Sequence, residues 1–163
     1  MKRSQDIFVA SALTLFAGTA LLKLATVATD QSLLGVRDVV FPFLRVRDSL
    51  LLACALEIVV CGFLLSRCSV RTKLMYVLWL SSAFMAYRGL VFLQGGWHYC
   101  KCLGNITDWL NLSPEAANRI ALGILIYLLL GSGLFLAAGC ARARCKRDLA
   151  GDSIMPDARL GAG

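Results

Sequence analysis

Four apolar runs, each close to twenty residues long, dominate this chain and leave few folds open to it. A helix rises 1.5 Å per residue and a bilayer's hydrocarbon is about 30 Å thick, so one span needs about twenty mostly apolar residues. The runs at about residues 6–29, 48–66, 73–93 and 114–139 meet that length, the second narrowly. Of the 163 residues, 58% are hydrophobic and 17% charged; a soluble domain carries roughly 25% charged residues. A soluble globular fold is excluded, and so is a largely disordered chain, which needs low hydrophobicity and dense charge. The expected class is an all-α membrane protein, a four-transmembrane-helix bundle whose partner is the lipid bilayer. Residues 1–147 are read as the bundle domain, with an outer cysteine loop at 94–113, and residues 148–163 as a disordered cytoplasmic tail.

Local signals mark the last span. Ser113 offers an N-cap hydroxyl, Pro114 sits where its missing N–H costs nothing, and Glu115 lies at the positive end of the helix dipole. Gly139 is read as its C-cap. Lys2 and Arg3 ahead of the first run resemble the start of a signal peptide, but the apolar stretch continues past a signal core and is expected to be a span.

The net charge of +7 fits topology better than a nucleic-acid surface, because the basic residues flank apolar runs and form no patch. No nucleic-acid partner is expected. Lys2, Arg3, Arg67, Arg71, Lys73, Arg142, Arg144, Lys146 and Arg147 all fall on one side, which the positive-inside rule makes cytoplasmic. Both termini are then cytoplasmic, and the connections at about 30–47 and 94–113 face outward, with Trp97, Tyr99 and Trp109 suited to the interface.

Cys100 and Cys102 share the second outward connection. In an oxidising compartment they are expected to pair with each other or with a partner. A disulfide closing so small a ring is strained, and strained, exposed disulfides are the exchangeable ones. Lys101 between them favours a thiolate, and Gly104 allows close backbone approach. A structural pair is the plain alternative. A metal site of His98, Cys100 and Cys102 is a further one, weakened by the lack of a second ligand cluster. Cys54, Cys61 and Cys68 recur every seven residues with Glu57 on the same stripe, too far apart along a helix to bond one another. They are read as small buried hydrophobes, and Cys140 and Cys145 as reduced cytoplasmic thiols.

Lys23, Glu57 and Arg88 lie within spans, where charge is costly and usually functional. Two readings stand. Lys23 and Arg88 snorkel outward with Glu57 satisfied by one of them, or the three converge beneath the cysteine loop with Glu57 as a proton acceptor for thiol chemistry. Tyr87 is read as a packing residue, and Gly123, Gly131, Gly133 and Ala137 as points of close helix approach.

The segments "AGTALLKL" ending past Lys23, "FPF" at 41–43, Glu57 in "CALEIVVCGFLL", Tyr87-Arg88 and "CKCLGNITDWL" from Cys100 resemble the MauE/DoxX-like redox-associated membrane proteins, over nearly the whole chain to about residue 139. Where that family's pattern has glycine and phenylalanine, this chain has Lys101 and Leu103. The resemblance implies a four-helix inner-membrane protein with Cys100 and Cys102 facing the periplasm, acting with a thioredoxin-like partner. Lys23, Glu57 and Arg88 take the family's in-membrane polar positions.

The leading expectation is thiol–disulfide exchange by Cys100 and Cys102 in a bacterial inner membrane, in maturation of a periplasmic protein, with no cofactor. Whether the chain catalyses alone stays open, since no second cysteine pair lies at a depth suited to relaying electrons. The rivals are a non-catalytic subunit or assembly factor of a larger membrane complex, and a small proton-linked transporter using Lys23, Glu57 and Arg88. The transporter ranks last, because no inverted repeat is visible.

Overall fold

The computed structural model describes residues 2–29, 36–38, 40–94 and 113–152. Four helices carry the fold: α1 (Lys2–Thr29), α2 (Val46–Leu65), α3 (Val70–Leu93) and α4 (Pro114–Asp152). Each contains a stretch long and apolar enough to cross a membrane, with mean hydropathies of 1.9, 2.2, 1.4 and 2.4 in chain order. Their outward faces are apolar as well: Leu21, Ile58, Trp79, Leu130 and Leu134 are all more than half exposed. Such a surface suits acyl chains and not water. The protein is therefore an integral membrane protein built as a four-helix bundle.

The helix ends follow local chemistry. The Ala116 N–H donates to Ser113 Oγ at 3.2 Å, so α4 begins where the sequence places its cap. Ser69 caps α3 by accepting from the Thr72 N–H, and the Lys73 ammonium donates to the Leu64 carbonyl at 2.6 Å, satisfying one of the open carbonyls that end α2. Asp48 accepts from the Arg45 N–H and holds the start of α2. At α4's far end the structure departs from the sequence reading. Gly139 is helical and α4 continues to Asp152, because alanine, arginine and lysine after it are strong helix formers that outweigh one glycine's cost of about 1 kcal/mol. Cys68 lies beyond Leu65, off α2, so the stripe of three cysteines reduces to Cys54 and Cys61.

The helices pack mainly as two pairs, α1 on α2 and α3 on α4. At the end where the chain enters α1, leaves α2 and enters α3, the pairs are knitted by one apolar cluster that includes Phe8, Ala12, Leu64, Leu74 and Val77. Gly131 on α4 permits this approach: a Cβ there would stand 2.2 Å from the Phe8 ring, which also packs against Tyr127 and Phe135. At the opposite end, called here the loop end, the pairs stand apart. Phe16 and Leu128 belong both to the packed cluster and to the wall of a cavity above it.

Candidate functional site

The cavity holds about 690 Å³ and occupies the half of the bundle nearest the loop end. All four helices contribute to it, as do Val36, Arg37, Asp38 and Phe41. Its walls are mainly apolar, with Leu50, Leu56, Phe84, Val91, Ile124 and Leu125 among them. That size and character match small-molecule sites, which run from roughly 300 to 1,000 Å³ with a few placed polar groups.

The polar groups come at two depths. On the deeper level the Lys23 ammonium donates to Glu57 Oε1, which also accepts from Thr19 Oγ1 at 3.1 Å. Both side chains are nearly water-free, at 8% and 2% exposure. The Lys23 Nζ also stands 4.9 Å above the Phe84 ring centre, a cation–π arrangement. Glu57 is 11 residues into α2 from Val46, so its backbone lies about 16 Å below the loop end. A carboxylate at that depth requires a cation beside it, and α1 supplies Lys23 on its facing side. Cys54, one turn earlier on α2, is buried and donates to the Ala20 carbonyl at 3.6 Å; it acts as packing.

The shallower level joins the loop to α3. Tyr87 donates its hydroxyl to Asp38 Oδ2 at 2.8 Å, while Asp38 Oδ1 accepts from the Val40 and Phe41 N–H groups at 2.8 and 3.1 Å. The segment is closed by backbone bonds from Asp38 to Leu44 and from Val46 to Val36. Phe41 then stacks on Tyr87 at 6.3 Å. Burial pushes the Asp38 carboxyl up; the neighbouring Ser49 hydroxyl, the Phe41 N–H, the Tyr87 hydroxyl and the Val40 N–H outweigh it and hold the group below its ordinary value. Ser49 Oγ itself closes no bond of good geometry. Arg88, beside Tyr87, donates to the side chain and the carbonyl of Asn118 on α4.

The structure thus brings Lys23 and Glu57 into contact and gives Arg88 a different partner, although all three line one cavity. Tyr87 is more than packing. It ties Asp38 to α3, and the two were not legible as a pair, because 49 positions separate them and neither stands in a motif. Asn118 was likewise missed; a polar residue one turn into a span is the only signal it carries.

Cys100, Cys102, Lys101, Gly104 and His98 lie outside the described residues. Among the described residues no cluster of three or more histidine, cysteine or acidic side chains could hold a metal. Cys68 and Cys140 are exposed free thiols at the end opposite the cavity, and Arg71 reaches Cys140 Sγ at 3.6 Å. Comparison with protein-family models, curated proteins and solved structures finds no match to this chain.

Proposed function

We propose that this is a membrane component of thiol–disulfide exchange, in which Cys100 and Cys102 react with a thioredoxin-fold partner outside the cytoplasm of a bacterial cell, in maturation of a periplasmic protein. One observation supports the reading above others: α3 ends and α4 begins at the end of the bundle where the cavity and its polar groups lie, and both cysteines fall between them in sequence. The resemblance to MauE/DoxX-like proteins points the same way, and so does the count of lysine and arginine, which puts that end outside.

The chemistry balances within the two proteins. A thiolate of the pair attacks the partner's disulfide and forms a mixed disulfide, releasing one partner thiolate, which takes a proton. The second cysteine then attacks the mixed bond, leaving Cys100 and Cys102 joined and the partner as a dithiol, two electrons richer. Run in reverse, the same steps oxidise the partner. Lys101 favours the attacking thiolate.

Differential alkylation of intact membranes before and after reduction, with mass readout of the loop peptide, tests this. A disulfide that opens and closes with the ambient thiol potential is expected, together with a mixed disulfide that disappears in the variant with Cys100→Ser and Cys102→Ser. Two permanently free thiols, or an unchanged adduct in that variant, would overturn it.

A further inference from the structure

The segment that leads into α2 is a short hairpin. Its turn is held by the Leu44 N–H donating to the Phe41 carbonyl at 2.8 Å, with Pro42 where proline presets the backbone angle. Behind the turn, the Asp38 N–H donates to the Leu44 carbonyl at 2.9 Å and the Val46 N–H to the Val36 carbonyl at 3.0 Å. These last two bonds flank Arg37 and Arg45, which face each other across the antiparallel bridge and exchange no bond themselves. Residues opposed in that way make the closest approach a ladder offers, with Cα atoms about 4.5 Å apart and side chains on one face. Both arginines are exposed, while Asp38, the next residue, turns inward to Tyr87 as strand alternation requires.

Like charges directly opposite each other destabilise a strand pair. Arg47 adds a third exposed guanidinium two residues on, against one exposed carboxylate, Asp48, which accepts from the Arg45 N–H. Guanidiniums at such a spacing suit an oxyanion that accepts from both at once, and phosphate is gripped by arginine's planar fork through paired bonds.

The height of the hairpin decides what brings phosphate to it. Phe41 stacks on Tyr87, which lies six residues, about 9 Å, before the end of α3. Between Tyr87 and that end, Leu90, Phe92 and Leu93 turn apolar side chains outward, a surface for acyl chains. The tip of the hairpin is thus level with hydrocarbon, and Phe43, its ring 5.7 Å from that of Phe41, is 80% exposed there. Two residues separate Phe43 from Arg45, at most about 7 Å, and the headgroup layer on each side of a bilayer is about 5–7 Å thick. A molecule with apolar chains at the level of Phe43 and a phosphate at the level of the arginines is a phospholipid. A soluble acidic protein meets the arginines but not the tip.

We propose that the Arg37–Arg45 pair, with Arg47 beside it, binds the phosphate of an acidic phospholipid in the leaflet at the loop end, with Phe43 inserted among the acyl chains. An acidic headgroup is preferred because a zwitterionic one carries its own cation and neutralises less of the arginine charge. The site involves neither the cysteines nor the Lys23–Glu57 pair.

The full chain in dodecylmaltoside micelles is titrated with phosphatidylglycerol or with phosphatidylcholine of the same acyl chains, and native mass spectrometry counts the lipids retained. Tighter retention of the first phosphatidylglycerol is expected. A basic residue at a membrane surface contributes about fivefold to such binding, so Arg37→Gln weakens it about fivefold and Arg37→Gln with Arg45→Gln about twenty-fivefold. Arg67→Gln with Arg71→Gln, at the opposite end of the bundle, leaves it unchanged. In vesicles of the two lipids, the emission that Phe43→Trp adds to the parent's is quenched by brominated acyl chains and not by aqueous iodide. Equal retention of the two lipids, or parental affinity after Arg37→Gln with Arg45→Gln, would overturn the proposal. So would quenching by iodide with none by brominated chains, which places the tip in water as a docking knob for an acidic protein.

Discussion

Removing Lys23 strands a carboxylate. In the intact protein Glu57 has 2% of its side chain exposed, its Oε1 bonded to Lys23 and Thr19 and its Oε2 without a partner. Lys23→Met keeps an unbranched apolar side chain and deletes the charge, so what is lost is the ion pair together with the ammonium's place over the Phe84 ring. Breaking a buried pair from one side costs about 3–5 kcal/mol, because the remaining charge is neither solvated nor matched. Glu57→Leu alone strands the ammonium at similar cost. The double variant, Lys23→Met with Glu57→Leu, removes both charges, and replacing a whole buried pair with apolar groups is nearly neutral or stabilising by about 1–4 kcal/mol. Reversible unfolding in mixed micelles at fixed pH, run on all four proteins, gives the coupling energy directly. Singles destabilised by several kcal/mol and a double near the parent are expected. If the two single losses add in the double variant to within about 0.5 kcal/mol, the pair is not a coupled unit and the account of the deeper site is wrong.

Three further outcomes follow from other parts of the molecule. Gly131→Ala places a methyl group inside the Phe8 ring, which Tyr127 and Phe135 hem in; it should destabilise by about 1–3 kcal/mol and be rescued by Phe8→Leu in the same unfolding assay. Asp38 has a folded-state affinity for protons below its unfolded one, so its contribution is present above about pH 4 and fades as pH falls through the lower folded value. In Asp38→Asn that stretch of the stability profile flattens, and amide exchange at Val40 and Phe41 quickens at neutral pH; a profile identical to the parent's refutes the assignment. Cys68 and Cys140 are exposed at one end of the bundle, which the lysine and arginine count makes cytoplasmic, so a membrane-impermeant maleimide should label both in inside-out vesicles and neither in intact cells. Labelling of these two from outside inverts the topology.

The fold was legible because the bilayer imposes one rule, that backbone polar groups be satisfied within each span. Four apolar runs of spanning length therefore gave four helices, and Ser113-Pro114-Glu115 marked where the last begins. Helix ends in the aqueous flank obey weaker forces, so Gly139 read as a stop while α4 carries on to Asp152. The site was half legible. Charge inside a span is rare enough that Lys23, Glu57 and Arg88 stand out singly, but their partners depend on helix rotation, which sequence spacing alone does not supply. Lys23 and Glu57 share a facing surface because α1 packs on α2, while Arg88 on α3 meets α4 and finds Asn118. Asp38 is different again. Its partners are backbone N–H groups and a tyrosine 49 residues away.

The contrast between the two ends of the bundle carries its own energetic consequence. The loop-end chamber is partly open to its surroundings, so in a membrane water or acyl chains can enter it and it is no sealed void. Water suits the polar atoms but not the Leu, Val and Phe walls, and an acyl chain suits the walls but leaves Glu57 Oε2 and Arg88 Nη1 unpaired. A ligand that meets both requirements stabilises the protein by mass action, about 2.7 kcal/mol at a hundredfold excess over its dissociation constant. Added methyl groups should accordingly have opposite signs at the two ends. At Gly131 the neighbours are already in contact and an extra carbon destabilises; at Ala53, facing the chamber, extra carbons displace a mismatched filler, and the ligand-free protein holds or gains stability. Equal losses at both positions would mean that the chamber closes in the bilayer, with α1–α2 and α3–α4 meeting along their whole length.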